Sequence, residues 1–290
     1  MMIKQMEEIM EIRELEKKAW LIRKDIIRMI AAAGSGHPGG SLSSTDIMTV
    51  LYFDEMNIDP SNPKKDDRDY FVLSKGHVCP ALYTALAHRG FFDTPELITL
   101  RKLGSRLQGH PGVNKGLPGL EASTGSLGQG LSIAGGMAMA FKLDGKPNRA
   151  YCLLGDGELD EGNVWEAAMS AAHYKLSNLC AIVDNNRLQI DGAIEDVMNV
   201  NPIPEKWEAF GWNVICCDGH SVKEIKEAFA QARECKDAPS VIIAKTVKGK
   251  GVSFMENKAG WHGVAPNPEQ EKAALAELDE KEKLWEASVR

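Results

Sequence analysis

The chain has 290 residues, with 34 Lys and Arg against 41 Asp and Glu. The resulting net charge of −7 argues against a general nucleic-acid binder, which carries a basic surplus or a dense Lys/Arg stripe. At 43% hydrophobic and 26% charged the composition is that of an ordinary globular protein, which excludes wholesale disorder and allows a core without disulfide or metal staples.

Met1 to Glu8 carry neither the apolar stretch nor the small-residue cleavage site of a secretory signal. The longest apolar stretch, around Ile133 to Phe141, is far short of the roughly 18–20 residues that span a bilayer. A cytoplasmic protein with no membrane partner is expected. The six cysteines, Cys79, Cys152, Cys180, Cys216, Cys217 and Cys235, form no CxxC pair. Buried free thiols are the expectation, with Cys152, Cys180 and Cys216 inside apolar strand-like runs.

From about Glu7 to Ala33, apolar residues recur at Ile12, Leu15, Ala19, Ile22, Ile26, Met29, Ile30 and Ala33, the spacing of one helical face. Gly34 stops that helix. The loop Gly34-Ser35-Gly36-His37-Pro38-Gly39-Gly40 follows, with another helix expected from Ser43 or Ser44. Tyr70 to Leu73 reads as a buried strand before Ser74-Lys75-Gly76-His77, and Pro80 to Arg89 as a helix. Thr94-Pro95-Glu96 is a cap with Pro at the first helical position. Gly104 to Gly130 is glycine-rich and aperiodic, and a loop of that length in a compact domain is usually functional.

Helix resumes over Leu127 to Leu143. Ala150 to Leu154 is a strand, followed by Gly155-Asp156-Gly157 and a helix to about Tyr174. Leu179 to Val183 is the next strand, ending in Asp184-Asn185-Asn186, and Asn213 to Cys217 another. Ser221-Val222-Lys223-Glu224 has the form of a capping box, and Val241 to Thr246 closes the series. Strands alternating with helices predict an α/β fold, a mostly parallel sheet with helices on both faces. No internal repeat or Pro/Ser-rich linker divides the chain, so one domain over 1–290 is expected. Its tail, 268–290, reads as a charged, solvated or partner-facing helix.

Two segments carry the chemistry. Gly155-Asp156-Gly157 and Asp184-Asn185-Asn186 each follow a predicted strand, about thirty residues apart. Either alone is a plain turn. Together, on neighbouring βα crossings, they suit a diphosphate bound beyond the carboxyl ends of parallel strands. The glycines admit close backbone approach, and the helix N-terminus favours negative charge. Asp156 and Asn186 supply hard oxygens for Mg2+, which completes its octahedron with phosphate and water. Of seven histidines, His37, His77, His110 and His262 sit in or beside glycine-rich loops. Such a set suits a polyhydroxylated substrate, because neutral imidazole both donates and accepts. His88 and His173 fall on helices and read as surface or packing residues, and His220, in the turn Asp218-Gly219-His220-Ser221, as structural.

The GDG and NN pair resembles the signature of thiamine-diphosphate enzymes. The fuller resemblance, from about Lys24 to Gly263, is to the N-terminal, diphosphate-binding region of transketolases. It is carried by Ser35-Gly36-His37-Pro38-Gly39, Leu73-Ser74-Lys75-Gly76-His77, Leu103 to Pro111, Thr124-Gly125-Ser126-Leu127-Gly128-Gln129-Gly130 and Gly260-Trp261-His262-Gly263. The resemblance implies thiamine diphosphate with Mg2+, or Ca2+ or Mn2+ in its place, held by Asp156, Asn186 and the Leu188 carbonyl. It implies Gly157 at the diphosphate through its backbone, with His77 and His262 beside it, and Gly125, Ser126 and Leu127 lining the cofactor. His37, His110 and His262 would face sugar hydroxyls. Glu161 would meet carboxylates across a subunit interface and share a proton between two sites; without that role it is an exposed acid in a first helical turn. Ser126 departs from the proline of many members.

Transketolases are usually far longer, with three domains. The missing middle domain holds the cofactor's pyrimidine and supplies the glutamate that activates it. The resemblance therefore implies the N-terminal subunit of a split transketolase, inactive alone and paired with a C-terminal subunit, as a heterotetramer. The implied reaction moves a two-carbon glycolaldehyde unit from a ketose phosphate to an aldose phosphate, with pentose phosphates as the default and branched or sulfonated sugars as variants. The competing readings are the α subunit of a thiamine-diphosphate 2-oxo acid dehydrogenase, a synthase joining pyruvate to glyceraldehyde phosphate, and a non-catalytic scaffold. The first needs no such histidine set, the second is normally one long chain, and loss of Asp156, Asn186 or a histidine would mark the third. A nicotinamide-binding fold is disfavoured by the absence of GxGxxG after the first strand.

Overall fold

The apolar runs of the chain become five parallel strands in the computed structural model, which describes residues 2–288. Residues 1 and 289–290, the latter the end of the predicted tail, lie outside the described residues. Helices α1 (Met2–Ala33), α2 (Pro38–Ser43) and α3 (Thr45–Val50) precede strand β1 (Tyr70–Leu73). Helix α4 (Cys79–Arg89) and α5 (Gly130–Leu143) lead to β2 (Ala150–Gly155), and α6 (Gly162–His173) to β3 (Leu179–Asn185). Short α7 (Ile194–Val197) and α8 (Ile203–Ala209) precede β4 (Asn213–Asp218), α9 (Val222–Glu234), β5 (Ser240–Lys245) and α10 (Pro268–Ser288).

The strand order is β1-β2-β3-β5-β4, and every pairing is parallel. Alternate side chains enter two cores. Phe71, Leu73, Tyr151, Leu153, Cys180, Ile182 and Ile242 pack with α1, α3, α4 and α9 on one face. Val72, Cys152, Leu154, Ala181, Val183, Val241 and Ile243 pack with α5, α6 and α8 on the other. Burial on both faces is why the central strands read as unbroken apolar runs. The edge strand β4 is the exception. Ile215 is its buried residue and Cys216 is exposed, contrary to the expectation of a buried thiol; Cys152 and Cys180 are buried.

Several local readings are corrected. The helix expected from Ser43 or Ser44 is α3, starting at Thr45, but a further short helix, α2, precedes it from Pro38, whose ring pre-sets the first turn. The GDG segment runs first through a 3-10 turn, Gly157–Asp160, and α6 starts only at Gly162. Ser221 Oγ does accept from Glu224 N at 3.3 Å, but Glu224 returns its carboxylate to Asp218 N at 2.8 Å, so the capping box is offset. The long glycine-rich stretch is irregular apart from a 3-10 turn at Val113–Lys115. It is pinned by a bidentate Arg68–Glu121 pair and by buried Leu107 and Leu117.

The tail is not simply solvated. Ala274 and Leu278 of α10 are fully buried, Lys24 of α1 pairs with Asp279 and Glu282, and Trp285 Nε1 donates to Glu16 at 3.0 Å. Leu278→Ala should therefore cost about 2–5 kcal/mol in urea denaturation, whereas a solvated helix would lose at most ~0.5 kcal/mol. Among the described residues no helix is long and apolar enough to cross a membrane.

Candidate active site

The carboxyl ends of β1, β2, β3 and β5 open onto one pocket of about 280 Å³. Gly155, Asp156, Gly157 and Glu158 come from the end of β2, Asn186, Leu188, Gln189 and Ile190 from the end of β3, and Lys75 and His77 from the end of β1. His37 and Gly40 enter from the loop and first turn of α2, His110, Gly125 and Leu127 from the glycine-rich stretch, and Lys248 and His262 from beyond β5. Parallel pairing makes this convergence unavoidable for the first group, since Gly155 lies opposite Asp184 in register. The loops reach close contact only through glycines. A Cβ on Gly76 would meet Gly125 N and Thr124 at 2.8 Å, and Gly125, at φ +150, abuts the His110 ring.

Three of the predicted histidines form a triangle. Ring centroids of His37, His77 and His262 lie 4.9, 5.1 and 5.4 Å apart. Burial, with nearby Arg101, His110 and Lys248, pushes His37 down to about 4, and burial with Lys248 pushes His262 down to about 3. Burial takes His77 well below its ordinary value and lowers the more exposed His110 as well. Each ring is thus neutral at pH 7 and offers one donor and one acceptor. His37 Nδ1 is buried without a hydrogen-bond partner, a polar atom left for a ligand.

Beneath the rings lies a charged floor. Asp184 is fully buried and accepts from Lys75 Nζ, Thr246 Oγ1, Ser43 Oγ at 2.6 Å and Asn186 Nδ2 at 3.2 Å. Burial alone would raise its carboxyl, but Lys75 and the hydroxyl donors outweigh burial and hold it below the ordinary range. Asp156, 2% exposed, accepts from Gly157 N at 2.8 Å and from Arg187 N. Burial and the Asp184 charge push it up to about 6. Lys248, 3% exposed, donates to the Leu188 carbonyl at 3.1 Å and sits 3.1 Å from His262 Nδ1; burial, then Lys75, brings it down to about 8.

Asp156, Asn186 and the Leu188 carbonyl therefore share one pocket with two buried ammonium groups. One carboxylate, one amide oxygen and one carbonyl suit a hard divalent cation that draws its other ligands from phosphate and water. Among the described residues no three His, Cys, Asp or Glu side chains gather as a closed, zinc-like site. A raised carboxylate beside a second acid is a site short of positive charge on its outer side, and the lysines and neutral imidazoles supply donors for an anion. The residues fit a metal-bound diphosphate.

Two predicted residues are not brought into this pocket. Ser126 is exposed in the glycine turn and Glu161 is exposed at the start of α6, where its Cβ crowds Gly128. His88 pairs with Asp25 at 2.8 Å, and His173 lies against Tyr174, in keeping with surface and packing roles. Lys75, Glu158, Gln189, Ile190 and Lys248 line the pocket although the sequence assigned none of them a role there. Glu158 joins three segments, accepting from Ser74 Oγ, Gly128 N at 2.9 Å and Gly155 N at 3.0 Å. Lys248 did carry a signal, since it stands before Gly249 and Gly251 just past a predicted strand.

A family model described as transketolase, thiamine diphosphate binding domain, matches residues 16–278. The 6-deoxy-6-sulfo-D-fructose transketolase subunit SqwG of Clostridium sp. (strain MSTE9) is 46% identical over 92% of this chain and 96% of its own length. An apulose-4-phosphate transketolase subunit of Phocaeicola vulgatus is 44% identical over 95% of this chain and 98% of its own. Among solved structures, the transketolase of Campylobacter jejuni superposes with a TM-score of 0.85 at 35% identity. It covers 91% of this chain, which spans 42% of that longer one.

Proposed function

The chain belongs to the transketolase family, matched through its thiamine diphosphate binding domain, and we propose that it is the cofactor-holding subunit of a two-chain, cytoplasmic transketolase. The carrying observation is the pocket that the neutral histidines share with Asp156, Asn186 and Leu188. The whole chain, 1–290, is read as one cofactor-binding unit. When bound, thiamine diphosphate supplies the nucleophilic carbon that takes up and hands on a two-carbon ketol unit.

The residues of this chain do the rest. Asp156, Asn186 and the Leu188 carbonyl hold Mg2+, and Gly157, His77 and His262, with Lys75 and Lys248, hold the diphosphate. Gly125, Ser126 and Leu127 line the cofactor. His37, His110 and His262 orient sugar hydroxyls and move protons between them, a contribution of about 10²–10⁴-fold in general acid–base catalysis. Their depressed pKa values favour this, because a protonated ring could only donate. Glu161, exposed beside the glycine turn, is available to a partner subunit's carboxylates.

The partner is a C-terminal transketolase subunit that completes the cofactor site, in a heterotetramer of two such pairs. Lys75 and Lys248 are engaged at the pocket floor, which leaves the substrate's far anionic group to the partner. The subunit relatives are named for apulose 4-phosphate and for a sulfonated fructose. We read the physiological ketose as belonging to that wider range, with pentose phosphates as one member.

The purified chain with Mg2+ and thiamine diphosphate is expected to be silent toward xylulose 5-phosphate and ribose 5-phosphate, and toward apulose 4-phosphate. Co-expression with the C-terminal subunit should bring turnover of at least one ketose. Turnover by this chain alone would overturn the split-enzyme reading.

A further inference from the structure

Three segments far apart in the chain meet at His220. Its Nδ1 lies 2.8 Å from Asp46 Oδ2 on α3, and its Nε2 lies 2.8 Å from the backbone N of Val247. Val247 N–H is a donor, so Nε2 accepts and the ring is neutral with its proton on Nδ1, which donates to Asp46. Asp46 is 5% exposed and is held in turn by the guanidinium of Arg23, 4% exposed, on α1. The turn before α9 does not need this ring. The His220 backbone N donates to Asp218 Oδ1 at 2.9 Å, and Ser221 caps the helix.

What the ring holds is the exit of β5. The hydrogen-bond ladder to β3 ends at Thr246, whose N donates to Asn185 O at 3.1 Å. Val247 is the next amide, and the imidazole takes the place of a strand neighbour. On either side of it stand Thr246, which donates to Asp184, and Lys248, which reaches Leu188 O and His262. We propose that His220, fixed by Asp46 and Arg23, is a positioning residue for the cofactor site, setting the backbone of Thr246–Lys248 so that the Lys248 ammonium is aimed at the diphosphate floor. The inference rests on the reading of the pocket as the thiamine diphosphate site.

The test measures thiamine diphosphate affinity of the chain co-purified with its C-terminal subunit, by calorimetry at saturating Mg2+, and deuterium uptake of the cofactor-free peptide containing Val247. His220→Phe removes both ring nitrogens and is expected to weaken binding roughly tenfold, the scale of outer-shell substitutions at such sites, and to speed exchange at Val247. His220→Gln, whose amide oxygen can still accept from Val247, should regain most of both. His220→Asn keeps a donor for Asp46 but has no acceptor that reaches Val247, and should behave as His220→Phe; it serves if the Phe variant does not fold. Because the role runs through Lys248, the losses from His220→Asn and Lys248→Met should not multiply in the double variant. Wild-type affinity in His220→Asn, or losses that multiply, would overturn the inference and leave the cofactor site standing. No binding by the wild-type chain together with its C-terminal subunit would overturn the cofactor reading and this role with it.

Discussion

Asp156→Asn should make the cofactor-free chain more stable at pH 7 while lowering Mg2+-dependent thiamine diphosphate affinity by about 100-fold or more, a cost of about 3 kcal/mol. Both effects have one cause. The carboxyl is 2% exposed and lies near the Asp184 charge, which together raise its pKa from 3.8 to about 6. The folded chain thus holds this proton more tightly than the unfolded chain, so the ionised group destabilises the empty fold. That penalty is absent below about pH 4, grows between pH 4 and 6, and is complete above, at about 3 kcal/mol. Asparagine stands in for the protonated acid, so urea denaturation should show a gain at pH 7 that vanishes at pH 4. The same substitution removes the one anionic oxygen offered to a divalent cation. Equal stability of the two chains at pH 7 would refute the account of the buried charge. Undiminished cofactor affinity would refute the assignment of Asp156 to the metal.

Lys75→Met is expected to have the largest effect on folding. Lys75 and Asp184 are 3% and 0% exposed, and their ion pair ties β1 to β3 across β2. Removing the cation strands a buried carboxylate, at about 3–5 kcal/mol. Ser43, Ser44, Thr246 and Asn186 continue to donate to Asp184, but none is charged. The wild-type pair holds the Asp184 carboxyl below its ordinary value, so the stability it confers is present at neutral pH and is lost as acid protonates the carboxylate. The deficit of Lys75→Met should accordingly shrink on acidification. Lys75→Met combined with Asp184→Asn should recover most of the loss at pH 7, measured as the shift in urea midpoint. A loss below about 1 kcal/mol in the single variant would place the pair with exposed ion pairs instead.

The cofactor residues that were legible had a local signature. Asp156 and Asn186 stood where apolar runs stopped, and His37, His77, His110 and His262 stood among glycines; the structure lines one pocket with all six. Lys75 lay inside a histidine motif and Lys248 before two glycines, yet neither was read as a site residue, because a lysine near the end of a strand is ordinarily a solvated charge, and only burial within this fold makes it otherwise. Ser126 and Glu161 matched a motif but face outward, where this chain alone gives them no partner among the described residues. His220 looked like a turn residue because its two partners, Asp46 and Val247, lie 174 and 27 positions away.

Apolar patterning by itself determined all five strands, the long helix α1 and the alternation that makes the sheet parallel, because burial on both faces leaves an unbroken run and burial on one leaves a period. It misjudged only the burial of β4, whose run Val214-Ile215-Cys216-Cys217 reads as interior although an edge strand has a neighbour on one side only. It passed over α7 and α8, which at four and seven residues are too short to show a helical period. It also left α10 unattached, since its few apolar residues become core only against α1. The order β1-β2-β3-β5-β4, the neutral histidines and the lifted carboxyl of Asp156 were decided by the tertiary structure alone. A pattern records how each residue stands to its near neighbours along the chain. Register, desolvation and the field of a distant charge arise only when segments a hundred residues apart are brought within a few ångströms.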